Sequence, residues 1–304
     1  PNKAPGPDNV PIEVFQQMND ENLSFIVEIL NEIWNKDELP QCCNEALIAL
    51  IFKKGNPELP ENYRPIALLN TVYKILAAIL KFRIERGIDN KMDDFQFGFR
   101  KTRSTSQPLF AFRRVQEQFE ETTELLFSVL LDWEKAFDKI NQSRMMVALH
   151  RLGLPQKLIS LISAIYFRPQ FKVKDGEYES DYLRQHTGIR QGCPLSPYLF
   201  TLVMSVIFHD VDKHIRDEHP EFNEDQLLKF NRLLYADDTL LMATNLSDIE
   251  ALLHTVERIS KTYDMKLNRG KCIAIILNQK YKGQQTIKFL NGEEVPNKDS
   301  AKYL

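Results

Sequence analysis

At 304 residues the chain is long enough to bury a core in one or two subdomains, and its charge is near balance, with 39 Lys and Arg against 42 Asp and Glu. That balance excludes a uniformly basic coat for nucleic acid. The four cysteines (Cys42, Cys43, Cys193, Cys272) show neither paired zinc spacing nor a disulfide framework, and the longest apolar stretch, Leu199 to Phe208, is too short to span a bilayer.

From the N-terminus, Pro11 to Trp34 carries Val14, Phe15, Met18, Leu23, Ile26, Val27 and Leu30 at helical spacing. Ala46 to Phe52 is a continuous apolar run that predicts a strand, followed by a polar loop through Asn62; Pro65 bars helix before it. Helices are expected over Thr71–Arg86 and Gln107–Glu121. Between Lys81 and Arg114 stand nine basic residues against four acids, a cluster that suits a phosphate backbone or, equally, a solvated helix face. A strand is expected over 125–132, then helices over Ser143–His150, with Ser143 as N-cap, and Gln156–Tyr166. Asp175-Gly176 after Phe171–Lys174 predicts a hairpin. A buried helix follows Pro197. Ser247–Tyr263 reads as an amphipathic helix, Ile273–Leu277 as a strand, and Asn291-Gly292 as a last hairpin turn.

The chemistry concentrates at Tyr235-Ala236-Asp237-Asp238. Leu233 and Leu234 lead in, and Leu240, Leu241 and Met242 lead out, so two short strands meet at a turn that carries two carboxylates. Adjacent Asp side chains repel unless something positive lies between them. The apolar run Phe127–Leu131 ends at Asp132, at the carboxyl end of a buried strand. Two such strands side by side would bring Asp132 against Asp237 and Asp238, a set of hard oxygens suited to Mg²⁺ completed by substrate phosphates. Two ions there would activate a 3′-hydroxyl and stabilise leaving pyrophosphate.

Seven strings, in order, carry a resemblance: Lys3-Ala-Pro-Gly-Pro-Asp8, Asn62-Tyr-Arg-Pro-Ile-Ala-Leu-Leu69, Phe97-Gly-Phe-Arg-Lys-Thr-Arg-Ser-Thr105, Leu131-Asp-Trp-Glu-Lys-Ala-Phe-Asp138, Gly188-Ile-Arg-Gln-Gly-Cys-Pro-Leu-Ser-Pro197, the Tyr-Ala-Asp-Asp turn, and Leu267-Asn-Arg-Gly-Lys271. The chain resembles reverse transcriptases, most closely those of non-LTR (LINE-type) retrotransposons. It departs from their pattern at Gln107-Pro108, where Asp-Ala is usual, and at Ala67, where Ser is common.

The resemblance implies an α+β fold with the fingers and palm of a right-hand polymerase. The palm would be a ferredoxin-like split βαβ antiparallel sheet backed by helices. The implied division is 1–121 for an N-terminal extension and fingers, 122–150 for palm, 151–186 for an insert, and 187–304 for the remaining palm. Lys302-Tyr303-Leu304 resembles the start of a primer grip, and the thumb and any endonuclease of the same polyprotein are expected to lie outside this chain. Asp132, Asp237 and Asp238, with the Trp133 backbone carbonyl, would hold two Mg²⁺ ions, or Mn²⁺. Phe137 would be the sugar gate: a ring under C2′ leaves a ribose hydroxyl without room or a hydrogen bond, although the position also suits a core Phe. Gln191 and Gly192 would lie near the incoming sugar, and Arg64 with Lys53 or Lys54 would clamp the dNTP triphosphate. Lys271 would protonate pyrophosphate. Arg100, Lys101, Arg103 and Arg190 would contact template or primer. The implied activity is RNA-directed DNA synthesis primed at a target site, with an RNA template, a DNA primer and dNTPs as partners and no membrane. The implied location is intracellular, in nucleus and cytoplasm, as a ribonucleoprotein. The alternatives are an inactive nucleic-acid-binding scaffold of the same fold and a group II intron-type maturase. The intact carboxylates argue against the first, and the LINE-type fingers strings against the second.

Overall fold

The computed structural model describes residues 4–219 and 230–301. The primer-grip string at 302–304 lies outside them. The chain folds as two compact units, one made of Pro1–Asn90 with Gln142–Leu199, the other of Lys91–Asn141 with Phe200–Leu304.

The first unit opens with α1 (Ile12–Gln16) and α2 (Asp20–Lys36). The expected single helix is divided because the Asn19 side chain accepts the Asn22 N–H (2.9 Å) and starts α2 afresh. A short α3 (Gln41–Asn44) leads into β1 (Glu45–Phe52), which pairs antiparallel with β2 (Tyr63–Leu68), Ile51 opposite Arg64. Pro65 sits inside β2, and this is possible because β2 is the edge of its sheet, where a missing N–H costs no ladder bond. Helix α4 (Thr71–Ile88) buries Tyr73, Leu76, Ala77, Leu80, Ile84 and Ile88 along one stripe.

The second unit takes α5 (Ser106–Thr122), β3 (Leu126–Leu131) and the short α6 (Ala136–Lys139). The chain then returns to the first unit for α7 (Gln142–Arg151) and α8 (Gln156–Ile165). Ser143 lies inside α7, one residue past its start, and is not the cap expected of it. Next come β4 (Gln170–Asp175), β5 (Tyr178–Glu179) and β6 (Leu183–Arg184). β4 pairs parallel with β1, Ala49 opposite Lys174, and antiparallel with both β5 and β6. The sheet order is β2-β1-β4-β5, with β6 also on β4.

Helix α9 (Ser196–Glu218) starts one residue before Pro197, which its first turn tolerates because those N–H groups need no intrahelical partner. The second unit is completed by β7 (Arg232–Tyr235), β8 (Asp238–Ala243), α10 (Leu246–Lys261), β9 (Ile273–Leu277) and α11 (Gln279–Lys282). Its sheet is antiparallel throughout, in the order β7-β8-β3-β9. Leu126, Leu130, Leu233, Leu240, Met242 and Ile275 meet Phe112, Val115 and Phe119 of α5. The intervening residues Phe127, Val129, Leu131 and Leu241 are equally buried, and α10 packs on β8 and β3. Strand β3 is therefore apolar without alternation because it is covered on both faces. Among the described residues no helix is long and apolar enough to cross a membrane.

Candidate active site

The pairing of β3 with β8 sets the site. Leu131 is opposite Thr239, so Asp132 emerges beside Asp238, the first residue of β8. Tyr235 pairs with Asp238, which leaves Ala236 and Asp237 as a two-residue hairpin loop. Ala236 has φ +57°, the positive value that a type II′ turn asks of its first central residue. Glycine usually fills that position; a residue with a Cβ in the left-handed region costs about 1–2 kcal/mol unless its surroundings impose it. The surroundings here are a loop from residues 93–100. Phe97 N–H donates to the Leu234 carbonyl (2.8 Å), Leu234 N–H to the Phe95 carbonyl (2.9 Å), and Ala236 N–H to the Gln96 side-chain oxygen (2.9 Å).

Asp132 is fixed from the opposite edge. Its carbonyl accepts the Asn268 N–H (2.8 Å), and Glu134 N–H donates to the Lys266 carbonyl (2.9 Å). These two bonds make the Trp133–Leu267 bridge from the groups flanking Trp133, so the bridge does not use the Trp133 carbonyl. The Trp133 indole N–H donates to Thr239 Oγ1 (3.1 Å), whose hydroxyl donates to the Asp237 carbonyl (3.3 Å), tying the two strand ends together.

Burial pushes the Asp237 carboxyl above its ordinary range, and the Asp132 charge pushes it the same way against its own backbone N–H. Asp238 is raised by desolvation first, then by Asp237 and Asp132. Lys271 Nζ lies 3.9 Å from Asp132 Oδ2 on a largely exposed side chain, too loose to balance three carboxylates. Among the described residues no three His, Cys, Asp or Glu close into a ready-made metal cage. The donors do fit a hard divalent cation that takes one or two carboxylates, a carbonyl and ligands from outside the protein. A cleft of about 800 Å³ adjoins the site through Asn268, lined also by Glu134, Lys261, Lys266 and Arg269, but none of the three carboxylates lines it.

Phe137 follows on α6. Its ring stacks on Phe200 of α9 (centroids 4.6 Å, planes 22° apart) while the side chain stays half-buried. One ring face is thus spent on packing, and part of the side chain remains exposed.

The remaining candidates divide between surface and interior. Arg64, Lys53 and Lys54 are exposed in the first unit. The Lys53 N–H donates to the Asn62 carbonyl (2.8 Å), which extends the β1–β2 ladder by one pair beyond Phe52–Tyr63. Lys53 therefore shares the face of Arg64, whereas Lys54 lies beyond the ladder. In the same unit Gly192 has φ +116°, and a Cβ there would lie 2.5 Å from the Ala67 carbonyl; Ala67 N–H in turn donates to the Gln191 carbonyl (2.7 Å). Glycine is required for this close approach.

Two of the residues expected to contact nucleic acid are buried. Arg190 is 3% exposed, donates to the Cys43 (3.0 Å) and Asn44 (3.1 Å) carbonyls and lies over the Tyr73 ring. Arg100 is buried and donates to the Asp93 (2.9 Å) and Gln96 (3.1 Å) carbonyls. Both guanidiniums satisfy interior carbonyls and are not offered to a phosphate. Lys101 is exposed, and Arg103 lies over the Phe97 ring. The basic cluster of residues 81–114 is also largely engaged: Lys81 with Glu85, Arg83 over Trp34, and Arg113 and Arg114 with Glu117.

Sequence reasoning missed two groups. One is Gln96, which no charge or metal pattern marks. The other is Lys172, Lys174 and Arg184. Lys172 and Lys174 face the same way as Ile51 and Arg64 because they pair with Leu47 and Ala49, and Arg184 joins them opposite Gln170. Only the parallel β1–β4 register, which no local signal announces, reveals this.

The profile of the reverse transcriptase (RNA-dependent DNA polymerase) family matches residues 51–304. The chain is 27% identical over 278 residues to the transposon TX1 uncharacterized 149 kDa protein of Xenopus laevis, covering 90% of this chain and 21% of that protein. It is 25% identical over 316 residues to the RNA-directed DNA polymerase from mobile element jockey of Drosophila funebris, covering 100% of this chain and 33% of that one. The chain thus spans a fifth to a third of the curated relatives it matches. Among solved structures, apo telomerase from Candida tropicalis superposes with a TM-score of 0.57 at 15% identity, covering 78% of this chain and 51% of that one, a likeness of fold. With a family profile covering residues 51–304 and the Asp132 strand paired to the Tyr-Ala-Asp-Asp hairpin, the chain belongs to the reverse transcriptase family, on the side of the non-LTR retrotransposon enzymes.

Proposed function

We propose that this chain is the polymerase portion of a non-LTR retrotransposon protein. It extends the 3′-hydroxyl of a DNA primer along an RNA template, one deoxynucleotide at a time. The observation that carries this is the register that sets Asp132 beside Asp238 at the mouth of a buried sheet. The second unit is read as palm in the split βαβ plan and the first as fingers, because the antiparallel order β7-β8-β3-β9 is that plan's arrangement.

Asp132, Asp237, Asp238 and the Trp133 carbonyl would hold the divalent ions, two Mg²⁺ in this reading. When bound, the ions supply Lewis-acid charge that makes the 3′-hydroxyl a better nucleophile and neutralises the leaving pyrophosphate. The chain's own residues do the rest. The ends of β3 and β8 hold Asp132 and Asp238, and the two-residue turn between β7 and β8 holds Asp237. Phe137, braced on Phe200, occupies the space a 2′-hydroxyl would need and offers it no hydrogen-bond partner, which favours dNTP over rNTP. Lys271, close to Asp132 and otherwise exposed, can hand a proton to pyrophosphate as it leaves. Gln191 and Gly192 are assigned to the incoming sugar, and Arg64 with Lys53 to the triphosphate; the shared face of Lys53 and Arg64 favours Lys53 over Lys54. Lys101 and Arg103 keep their assignment to template or primer phosphates. On the same face of the first sheet, beside that triphosphate pair, Lys172, Lys174 and Arg184 are read as a track for nucleic-acid phosphates. Cations on it outnumber its acids Glu45 and Glu179, although Glu179 lies 3.7 Å from both Lys172 and Lys174.

The test is primer extension on an RNA template with Mg²⁺ and dNTPs, with Asp132→Asn beside the wild type. DNA synthesis that the substitution removes is the expected result. Synthesis that persists in the Asp132→Asn protein would overturn the assignment.

A further inference from the structure

The Tyr-Ala-Asp-Asp turn owes its shape to a side chain about 140 residues away in sequence. Gln96 is completely buried, and its amide oxygen accepts two backbone N–H groups, Gly98 (2.8 Å) and Ala236 (2.9 Å). Its amide nitrogen reaches the Ala236 carbonyl at 3.5 Å. One side chain thus addresses both polar groups of Ala236, the residue in the left-handed conformation. The residue two positions on is Gly98, where an added Cβ would lie 2.3 Å from the Ala236 nitrogen. Approach this close is open only to glycine.

Gln96 is itself held from three sides, one of them its own N–H, which donates to the Asp93 carbonyl (3.1 Å). Its backbone bridges to Leu234 in parallel register. Its carbonyl accepts from the buried Arg100 (3.1 Å), which also binds the Asp93 carbonyl. Asp93 pairs with Arg232 of β7 (2.6 Å), and Arg232 continues to Asp212 on α9 (2.5 Å). The amide oxygen therefore sits on a fixed frame, and Ala236 is fixed to it.

We infer that Gln96 is a positioning residue of the polymerase site: its side-chain amide clips the Ala236 backbone and thereby sets where Asp237 and Asp238 present their carboxylates. This rests on the reading of those carboxylates as the ion-holding pair. A buried amide that merely satisfies backbone groups would stabilise the fold; a clip also fixes the geometry of the next two residues. Asp237 follows Ala236 directly, so a change in the Ala236 peptide swings the Asp237 Cα and carries its carboxylate with it. Displacements of that size at a reacting centre lower turnover without weakening substrate binding.

The experiment compares wild type, Gln96→Met, Gln96→Asn and Gln96→Glu in the full chain. Methionine removes both polar atoms at similar length, asparagine withdraws the oxygen by one methylene, and glutamate keeps an acceptor in place. Amide hydrogen exchange on metal-free protein reads the clip, Mn²⁺ titration followed by electron paramagnetic resonance reads the carboxylates, and primer extension reads turnover. In the Met and Asn variants we expect protection at Ala236 and Gly98 to fall about tenfold or more, with Val129 in β3 still protected. We expect Mn²⁺ affinity to weaken several-fold, and kcat to fall about tenfold with the KM for dNTP and the template–primer affinity little changed. Glutamate restores protection. If Gln96→Met unfolds, Val129 loses protection too, and the Asn variant decides. Wild-type protection at Ala236 in the folded Met or Asn variant overturns the clip. Lost protection with unchanged Mn²⁺ binding and kcat reduces Gln96 to a structural residue and overturns the positioning role. If the wild type makes no DNA, the polymerase reading fails, and exchange with Mn²⁺ binding still decides the clip.

Discussion

Phe137 and Asp237 each join a packed position to the chemistry proposed for it. Stacking on Phe200 fixes the Phe137 ring while the side chain stays partly exposed. Phe137→Val keeps an apolar side chain but shortens it, so discrimination against rNTPs should fall by about tenfold or more, read as the ratio of kcat/KM for matched rNTP and dNTP. Unchanged selectivity would remove Phe137 from that role. Asp237 makes a different trade. Its carboxyl is raised by burial and by Asp132, so its ionised form is disfavoured in the fold. Below the unfolded value of 3.8 both states are protonated and nothing is lost; as pH rises through and beyond that value, charging the folded carboxyl costs stability. Metal-free Asp237→Asn should therefore melt higher than metal-free wild type at neutral pH, and the gap should close toward pH 3. Mg²⁺ should raise the wild-type Tm and leave the variant's nearly unmoved, while DNA synthesis by the variant is abolished. A lower Tm for the variant at pH 7 in EDTA would count against a cost of charging the buried Asp237 carboxyl.

At the level of elements, legibility followed locality. Helices α4, α5, α8 and α10 and strands β1, β3 and β9 declare themselves by spacing or apolar run, and the Tyr-Ala-Asp-Asp hairpin by its turn. Strand β2 does not, because Pro65 speaks against a strand until its edge position is known. Arg100 and Arg190 look like phosphate binders in sequence because nothing local tells a buried guanidinium from a solvated one; only the Asp93, Gln96, Cys43 and Asn44 carbonyls they meet do so. The three site carboxylates were legible because strand ends and turns are local, whereas the Gln96 contact spans a long sequence separation. Two interior polar groups give opposite expectations. Ser128 on β3 is buried with its hydroxyl unpartnered among the described residues. Ser128→Ala removes that burden, so it should be neutral or stabilising by about 1 kcal/mol in a denaturant melt. Arg232→Leu instead takes from Asp93 and Asp212 the cation they share, and should cost about 3–5 kcal/mol. Similar, small effects for both would mean that the Arg232 pair is solvated.

For the whole molecule, net charge is a poor guide to partners. The sum is −3, yet one face of the β2-β1-β4-β5 sheet gathers Arg64, Lys53, Lys172, Lys174 and Arg184 from four segments. No window of sequence contains them together, and the nine-cation stretch that does stand out spends much of its charge on its own neighbours. If the sheet face carries single-stranded template, each cation that meets a phosphate contributes about 0.7 to the slope of log affinity against log salt. Lys172→Gln with Lys174→Gln should then lower that slope by about 1.4 and weaken RNA binding at 0.1 M salt. Because neither residue belongs to the unit that holds the carboxylates, extension on saturating template should keep its kcat. The same pair of substitutions also frees Glu179, whose charge would repel RNA and add to the loss. Including Glu179→Gln separates the effects: the triple variant should recover that added loss and keep the reduced slope. An unchanged slope in both variants would place the template on another face.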